Sequence, residues 1–262
     1  VGLGVGFVLR QPSLEGFDGA AAATVAGIAE TPATADVTDR GVQTGYALYV
    51  SQCARCHGVN GDGQGLGMNS PTFGTLPRDL TLGNYRFVST RSGIASDADL
   101  RHVIINGLPS SGMPGFAALT SVQVDSLVAY LDHIWVDRPD PGPTVEITPV
   151  PVFDAAMRAR GGELYATACV ACHGATGEGD GPAAGMIEDY PGHLLPPANL
   201  AAGEIKAGAD SIQLYYRIAA GIPNGATPLM PAFSYLAPED IWSIIAHLRR
   251  EVLPTAATAG TQ

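Results

Sequence analysis

The sequence holds a single lysine, Lys206, and thirteen arginines against 25 acidic residues, for a formal charge of −11. The deficit is spread evenly: residues 1–140 carry −5 and residues 141–262 carry −6. With no basic stripe to neutralise phosphates, nucleic acid is excluded as a partner. An acidic surface steers basic partners or keeps the chain soluble. No apolar run reaches the roughly 20 residues that a membrane-crossing helix needs. Val1–Leu9 is too short to span, and it reads either as the remnant of an anchor or signal segment or as a locally packed terminus. No segment alternates polar and apolar residues as a half-buried strand would. Cysteine is scarce too: there are four, and all sit in two short motifs.

Glycine and proline, by contrast, are plentiful, at 33 and 20 residues. They predict long irregular loops that wrap around something. The chain of 262 residues has room for two modest domains. A duplication divides it accordingly. SQCARCHGVNGDG (51–63) returns as TACVACHGATGEG (167–179), preceded at equal offsets by Gly45 and Tyr49 or by Gly161 and Tyr165. PRDL (77–80) answers PANL (197–200), INGLP (105–109) answers AAGIP (219–223), and MPGF (113–116) answers MPAF (230–233). His57 and Met113 are 56 residues apart, and His173 and Met230 are 57 apart.

The expected organisation is therefore a tether over 1–37, a first domain over 38–136, a Pro-rich linker over 137–153, a second domain over 154–253 and a tail over 254–262. Each domain reads as three helices. The first runs from about Arg40 with Val42, Tyr46, Tyr49, Val50 and Cys53 on one face. Its counterpart starts near Asp154 and carries Met157, Gly161, Leu164, Tyr165 and Ala168. The middle helices follow acidic caps at Asp97 and Asp210 and bury Leu100, Val103 and Ile104, or Leu214, Tyr215 and Ile218. The last helices bury Val124, Leu127, Val128, Leu131 and Trp135, or Ile241, Ile244, Ile245, Leu248 and Val252, with Pro238 suited to the first helical position. The fold class is all-α. Three helices in so few residues make a thin core, which calls for a staple or a bound group.

C-x-x-C-H supplies that group. The pattern is the signature of covalent haem attachment, in which two thiols add to the haem vinyl groups and the adjoining histidine turns its imidazole under the iron. Cys53, Cys56 and His57 would hold one haem, and Cys169, Cys172 and His173 a second. A zinc ribbon would bring its two C-x-x-C pairs within about 15–20 residues, whereas 112 residues separate Cys56 from Cys169. A thioredoxin-like pair lacks its βαβ context. For the sixth ligand, Met113 and Met230 stand in matched loops, and a thioether sulfur suits haem iron. Met68 and Met186 follow the histidines too closely and are assigned to packing at the ring edge. Arg78, Arg86 and Arg91 are candidates for the haem propionates, with plain surface exposure as the alternative for each. His102, His133, His193 and His247 read as packing or surface residues, His193 standing nearest to a haem-lining loop.

On these residues, and on LVAYL (127–131), the chain resembles the class I c-type cytochromes in a tandem dihaem form. The second half carries His247 where the first has Tyr130. The resemblance implies two covalently bound c-type haems and His/Met ligation. It further implies crossing first and last helices, and an exported location in the periplasm or on the outer face of the cytoplasmic membrane. It implies electron relay between redox protein donors and acceptors, alone or as a subunit of a larger complex, rather than catalysis. A dihaem redox enzyme, such as a peroxidase or a thiosulfate-oxidising cytochrome, is the rival reading. It would need one iron with an open distal site.

Overall fold

The structure, a computed structural model, describes residues 37–66, 76–190, 193–224 and 227–254. The expectations for Val1–Leu9, for most of the two tails and for Met68 lie outside these residues. The first half contributes α1 (Val37–Gln52), α2 (Ala54–His57), α3 (Asp97–Asn106) and α4 (Ser121–Ile134). The second contributes α5 (Ala155–Ala168), α6 (Val170–His173), α7 (Ser211–Ala220) and α8 (Pro238–His247), with a π turn over Leu248–Val252 extending α8. None of the described helices is long and apolar enough to cross a membrane.

Side-chain caps set where most of these helices begin. Ser96 accepts from the Asp99 amide, and Asp99 returns a bond to the Ser96 amide. The cap expected at Asp97 thus falls one residue earlier, because a hydroxyl at that point can close a reciprocal pair. Asp210 caps α7 through the amides of Ile212 and Gln213, Asp154 caps α5, and Pro238 opens α8.

Each half has its own core. In the first, Tyr49, Leu100, Ile104, Val124, Leu127, Val128, Leu131 and Trp135 are buried together. In the second, Tyr165, Leu214, Tyr215, Ile218, Ile241, Ile244, Ile245, Leu248 and Val252 are. Tyr46 and Val50 depart from expectation, each 44% exposed. Gly45 and Tyr49 are the α1 residues that turn inward, and their C-terminal neighbours lie about 100° further round the helix.

The first and last helices of each half cross at a glycine. A Cβ on Gly45 would stand 1.9 Å from the Ser126 carbonyl oxygen, and one on Gly161 would stand 1.9 Å from that of Ser243. His247 takes the seat that Tyr130 takes in the first half. Its ring centroid is 5.5 Å from that of Tyr165, as Tyr130 is 5.1 Å from Tyr49.

The all-α architecture carries one small addition, a two-stranded antiparallel pair of β1 (Glu188–Tyr190) and β2 (His193–Leu194). The segment over 137–153 is bonded to both halves. The Val145 amide donates to Ser89, the Arg91 amide donates to Pro143, and Trp242 Nε1 donates to Thr148.

Candidate functional site

The cysteine motifs form the same local structure twice. α1 ends at the first cysteine, and one tight turn follows. The amides of Cys56 and His57 both donate to the Cys53 carbonyl, at 3.0 and 2.9 Å. Cys172 and His173 donate to Cys169 at 3.1 and 2.9 Å. The turn keeps both thiols of each motif half-buried and free. Burial, reinforced by the neighbouring Cys56, pushes the Cys53 thiol up to about 11, and burial with Cys172 does the same to Cys169. This direction is opposite to the depressed pKa of redox-active thiols.

Past each histidine the glycine-rich loop turns back on itself. The Gly63 amide bonds the His57 carbonyl, and Gly179 bonds His173, both at 2.9 Å. Gly61 (φ 78°) and Gly177 (φ 81°) adopt the left-handed backbone that glycine favours. Their carbonyls receive the amides of Leu80 and Leu200, each at 2.7 Å. That bond draws PRDL and PANL against the histidines. His57 Nδ1 then lies 3.2 Å from the Arg78 carbonyl oxygen, and His173 Nδ1 lies 3.4 Å from that of Ala198. A carbonyl can only accept, so each Nδ1 carries the proton and Nε2 keeps its lone pair for a metal. Burial lowers the pKa of both histidines, which favours this neutral form.

The methionine loops also match. Leu108 and Met113 exchange two backbone bonds, and so do Ile222 and Met230. The amide of Phe116 or Phe233 then ties the loop to the end of the middle helix, at Ile104 or Ile218. Both methionines are half-buried.

In the first half, Cys53, Cys56, His57 and Met113 line one cavity of about 860 Å³, together with Leu100, Ile104 and other apolar side chains. Sites for cofactor-sized ligands run to roughly 300–1,000 Å³. Tyr85 projects into the same lining, and its buried hydroxyl has no hydrogen-bond partner among the described residues. An apolar slot with paired thiols, an Nε2 lone pair, a thioether and an unsatisfied hydroxyl fits a haem with its acidic edge.

The other candidates resolve as follows. Arg78 bonds Asp189 at 2.8 Å, and Arg86 approaches Asp189 at 3.5 Å and Asn224 at 3.2 Å. Both arginines line the first cavity, whereas Arg91 is exposed. Met186 ends the short turn over Ala184–Met186 and is 79% exposed. His102 bonds the Ala207 carbonyl, His193 pairs with Asp189, and His133 is exposed. No group of three or more His, Cys, Asp or Glu side chains forms a metal cluster among the described residues.

Sequence reasoning missed the acceptor role of Arg78 and Ala198, although the repeated PRDL and PANL carried the signal. It also missed Tyr49 and Tyr165 as donors, to the carbonyls of Gly58 at 2.7 Å and Gly174 at 2.9 Å. Lys206 stands where the first half has Arg86, a match of two basic residues that went unread.

Comparison with known proteins agrees with this geometry. Residues 40–131 match the family described as cytochrome c oxidase, cbb3-type, subunit III, and residues 158–250 match the cytochrome c family. The chain is similar to the cbb3-type cytochrome c oxidase subunit CcoP of Azospirillum sp. (strain B510), 27% identical over 198 residues. That match covers 72% of this chain and spans only 55% of the relative. Among solved structures it is similar to a chain of the Kuenenia stuttgartiensis reducing HAO-like protein complex Kustc0457/Kustc0458. The TM-score is 0.73 at 29% identity, covering 80% of this chain and 96% of that one. Both halves are thus c-type cytochrome domains, set in tandem. The protein is a dihaem c-type cytochrome with two covalently bound haems.

Proposed function

We propose that the protein relays electrons between redox proteins, with Cys53, Cys56, His57 and Met113 holding one haem and Cys169, Cys172, His173 and Met230 the other. The observation that carries this reading is the repeated seating of His57 and His173. Each has Nδ1 committed to a backbone carbonyl 21 or 25 residues further along the chain, leaving Nε2 for iron. Bound haem supplies a one-electron iron couple. The chain's part would be to hold the imidazole and thioether donors in place, exclude water with the apolar wall and keep the site rigid between oxidation states.

The domains extend over 38–136 and 154–253, with 137–153 between them. Since the relatives' names place them in an oxidase and in an HAO-like complex, partners would be subunits of a larger redox assembly. The periplasm or the outer face of the cytoplasmic membrane is where c-type maturation would put it.

The test is a pyridine haemochrome assay with intact mass, followed by the ferric spectrum. Two haems per chain and the full sulfur-to-iron charge-transfer band of two Met-ligated haems are expected. A mass without two haems overturns the reading. A high-spin signal or rapid reaction with peroxide turns it toward a dihaem redox enzyme.

A further inference from the structure

The strand of chain that seats the second half's histidine also closes the first half's cavity. Ala198 provides the carbonyl for His173, and further along the same segment Lys206 lines the cavity of Cys53, Cys56, His57 and Met113. Asp189 likewise belongs to the second half. Its side chain is completely excluded from solvent, and it grips the Arg78 guanidinium at 2.8 Å. The carbonyl of that same Arg78 is the acceptor for His57 Nδ1. Two charges of opposite sign thus reach the first site from the second domain. Lys206 stands in the cavity wall, and Asp189 acts on the residue that seats the proximal imidazole. Arg86, the first-half residue at the position matched to Lys206, lines the same cavity and reaches Asn224 and Asp189 of the second half.

We propose that Lys206 and Asp189 are positioning residues by which the second domain completes the first haem site and sets its reduction potential in opposite directions. The proposal rests on the haem assignment above. A cation in the wall opposes the extra positive charge of ferric haem and raises the potential. A carboxylate behind the proximal ligand lowers it. Asp189 is buried and Lys206 partly so, and charges in such positions are weakly screened, so a single one shifts an equilibrium measurably.

The test is a spectroscopic potentiometric titration of the matured holoprotein, with Lys206→Gln, Lys206→Arg and Asp189→Asn. Met113→Ala and Met230→Ala identify which wave belongs to which haem. Lys206→Gln should cut the reduced-to-oxidised ratio of the first haem about tenfold at fixed ambient potential, or about 59 mV for one electron. Asp189→Asn should raise that ratio by a similar factor, and Lys206→Arg should restore it. The second wave should move by less than a third as much. Unmoved first waves, shifts of one sign in both variants, or equal displacement of both haems would each overturn the proposal. Should Asp189→Asn fail to mature, the two Lys206 variants decide the matter alone. Haem content separates the two levels: fewer than two haems in the unsubstituted protein sinks the assignment, while two haems with unmoved waves sinks only the coupling.

Discussion

Tyr49 and Tyr165 illustrate how a single hydroxyl serves two purposes. Each ring fills the helix crossing, and each hydroxyl ties the loop after the histidine back to its own helix. Burial raises the pKa of both, Tyr165 to about 12, so they remain donors at any physiological pH. Tyr49→Phe and Tyr165→Phe should each cost about 1–2 kcal/mol, the loss of one hydrogen bond plus an unpaired buried carbonyl, measured by chemical denaturation of the holoprotein. A change below about 0.3 kcal/mol would show that water replaces the hydroxyl. Met113→Ala and Met230→Ala should each remove about half of the sulfur-to-iron band, and an unchanged spectrum would refute the ligand assignment. At this scale the sequence was most legible where chemistry is local. C-x-x-C-H and M-P-x-F announce themselves because particular atoms are required at short spacing. The carbonyls of Arg78 and Ala198 do not, since a backbone acceptor places no demand on the side chain that carries it.

The elements repeat that division. The last helices were plain from their period because Val124, Leu127, Val128 and Leu131, like Ile241, Ile244 and Ile245, face one core. α1 was read one position too broadly, since Tyr46 and Val50 lie beside the buried stripe and not in it. β1 and β2 were invisible in sequence: EDY and HL are too short and polar for a period-two signal. The crossing glycines were read correctly as matched positions, and the structure adds the reason. With 1.9 Å between a new Cβ and a backbone oxygen, Gly45→Ala or Gly161→Ala must push whole helices apart. Each should cost about 3 kcal/mol, the upper end of overpacking, and lower the melting temperature of the holoprotein. Gly41, on the same α1, has open space where its Cβ would go, so Gly41→Ala should be neutral or mildly stabilising. Equal losses from Gly41→Ala and Gly45→Ala would mean that helix propensity, not the crossing, sets the cost.

At the scale of the molecule, the two domains are interlocked by contacts between residues far apart in sequence, which is why periodicity and spacing said nothing of them. Asp189 is the acid-sensitive member. Burial works to raise its pKa, but hydrogen bonds from Arg78 and His193 and the charges of Arg78 and Arg86 prevail and hold it below the usual carboxylate range. A depressed folded-state pKa contributes stability above the unfolded value of about 3.9, which is lost as pH falls through the folded one. Stability should therefore decline more steeply with acid in the native protein than in Asp189→Asn, as followed by denaturant midpoints from pH 6 downward.

Arg217 makes the stronger case for a shared interior. Arg217 sits on α7 between the core positions Leu214, Tyr215 and Ile218. It is only 7% exposed, reaching out of its own domain to donate to the carbonyl of Val88 at 2.7 Å and to that of Arg86 at 3.4 Å. Its guanidinium lies 5.3 Å from the Phe87 ring centroid. Burial lowers its pKa to about 10, which still leaves it charged at neutral pH. Ala220 of the same helix packs onto the first domain's core. With one helix serving both interiors, neither domain can open without exposing part of the other. Calorimetry of the holoprotein should then show a single transition whose calorimetric and van't Hoff enthalpies agree. Arg217→Ala strips the carbonyl of its donor and leaves a cavity, at a cost of about 3 kcal/mol. It should lower the melting temperature and split the trace into two transitions while both haems stay attached. Two transitions in the native protein, or a variant that melts like it, would mean that the domains fold independently and that Arg217 merely bridges them.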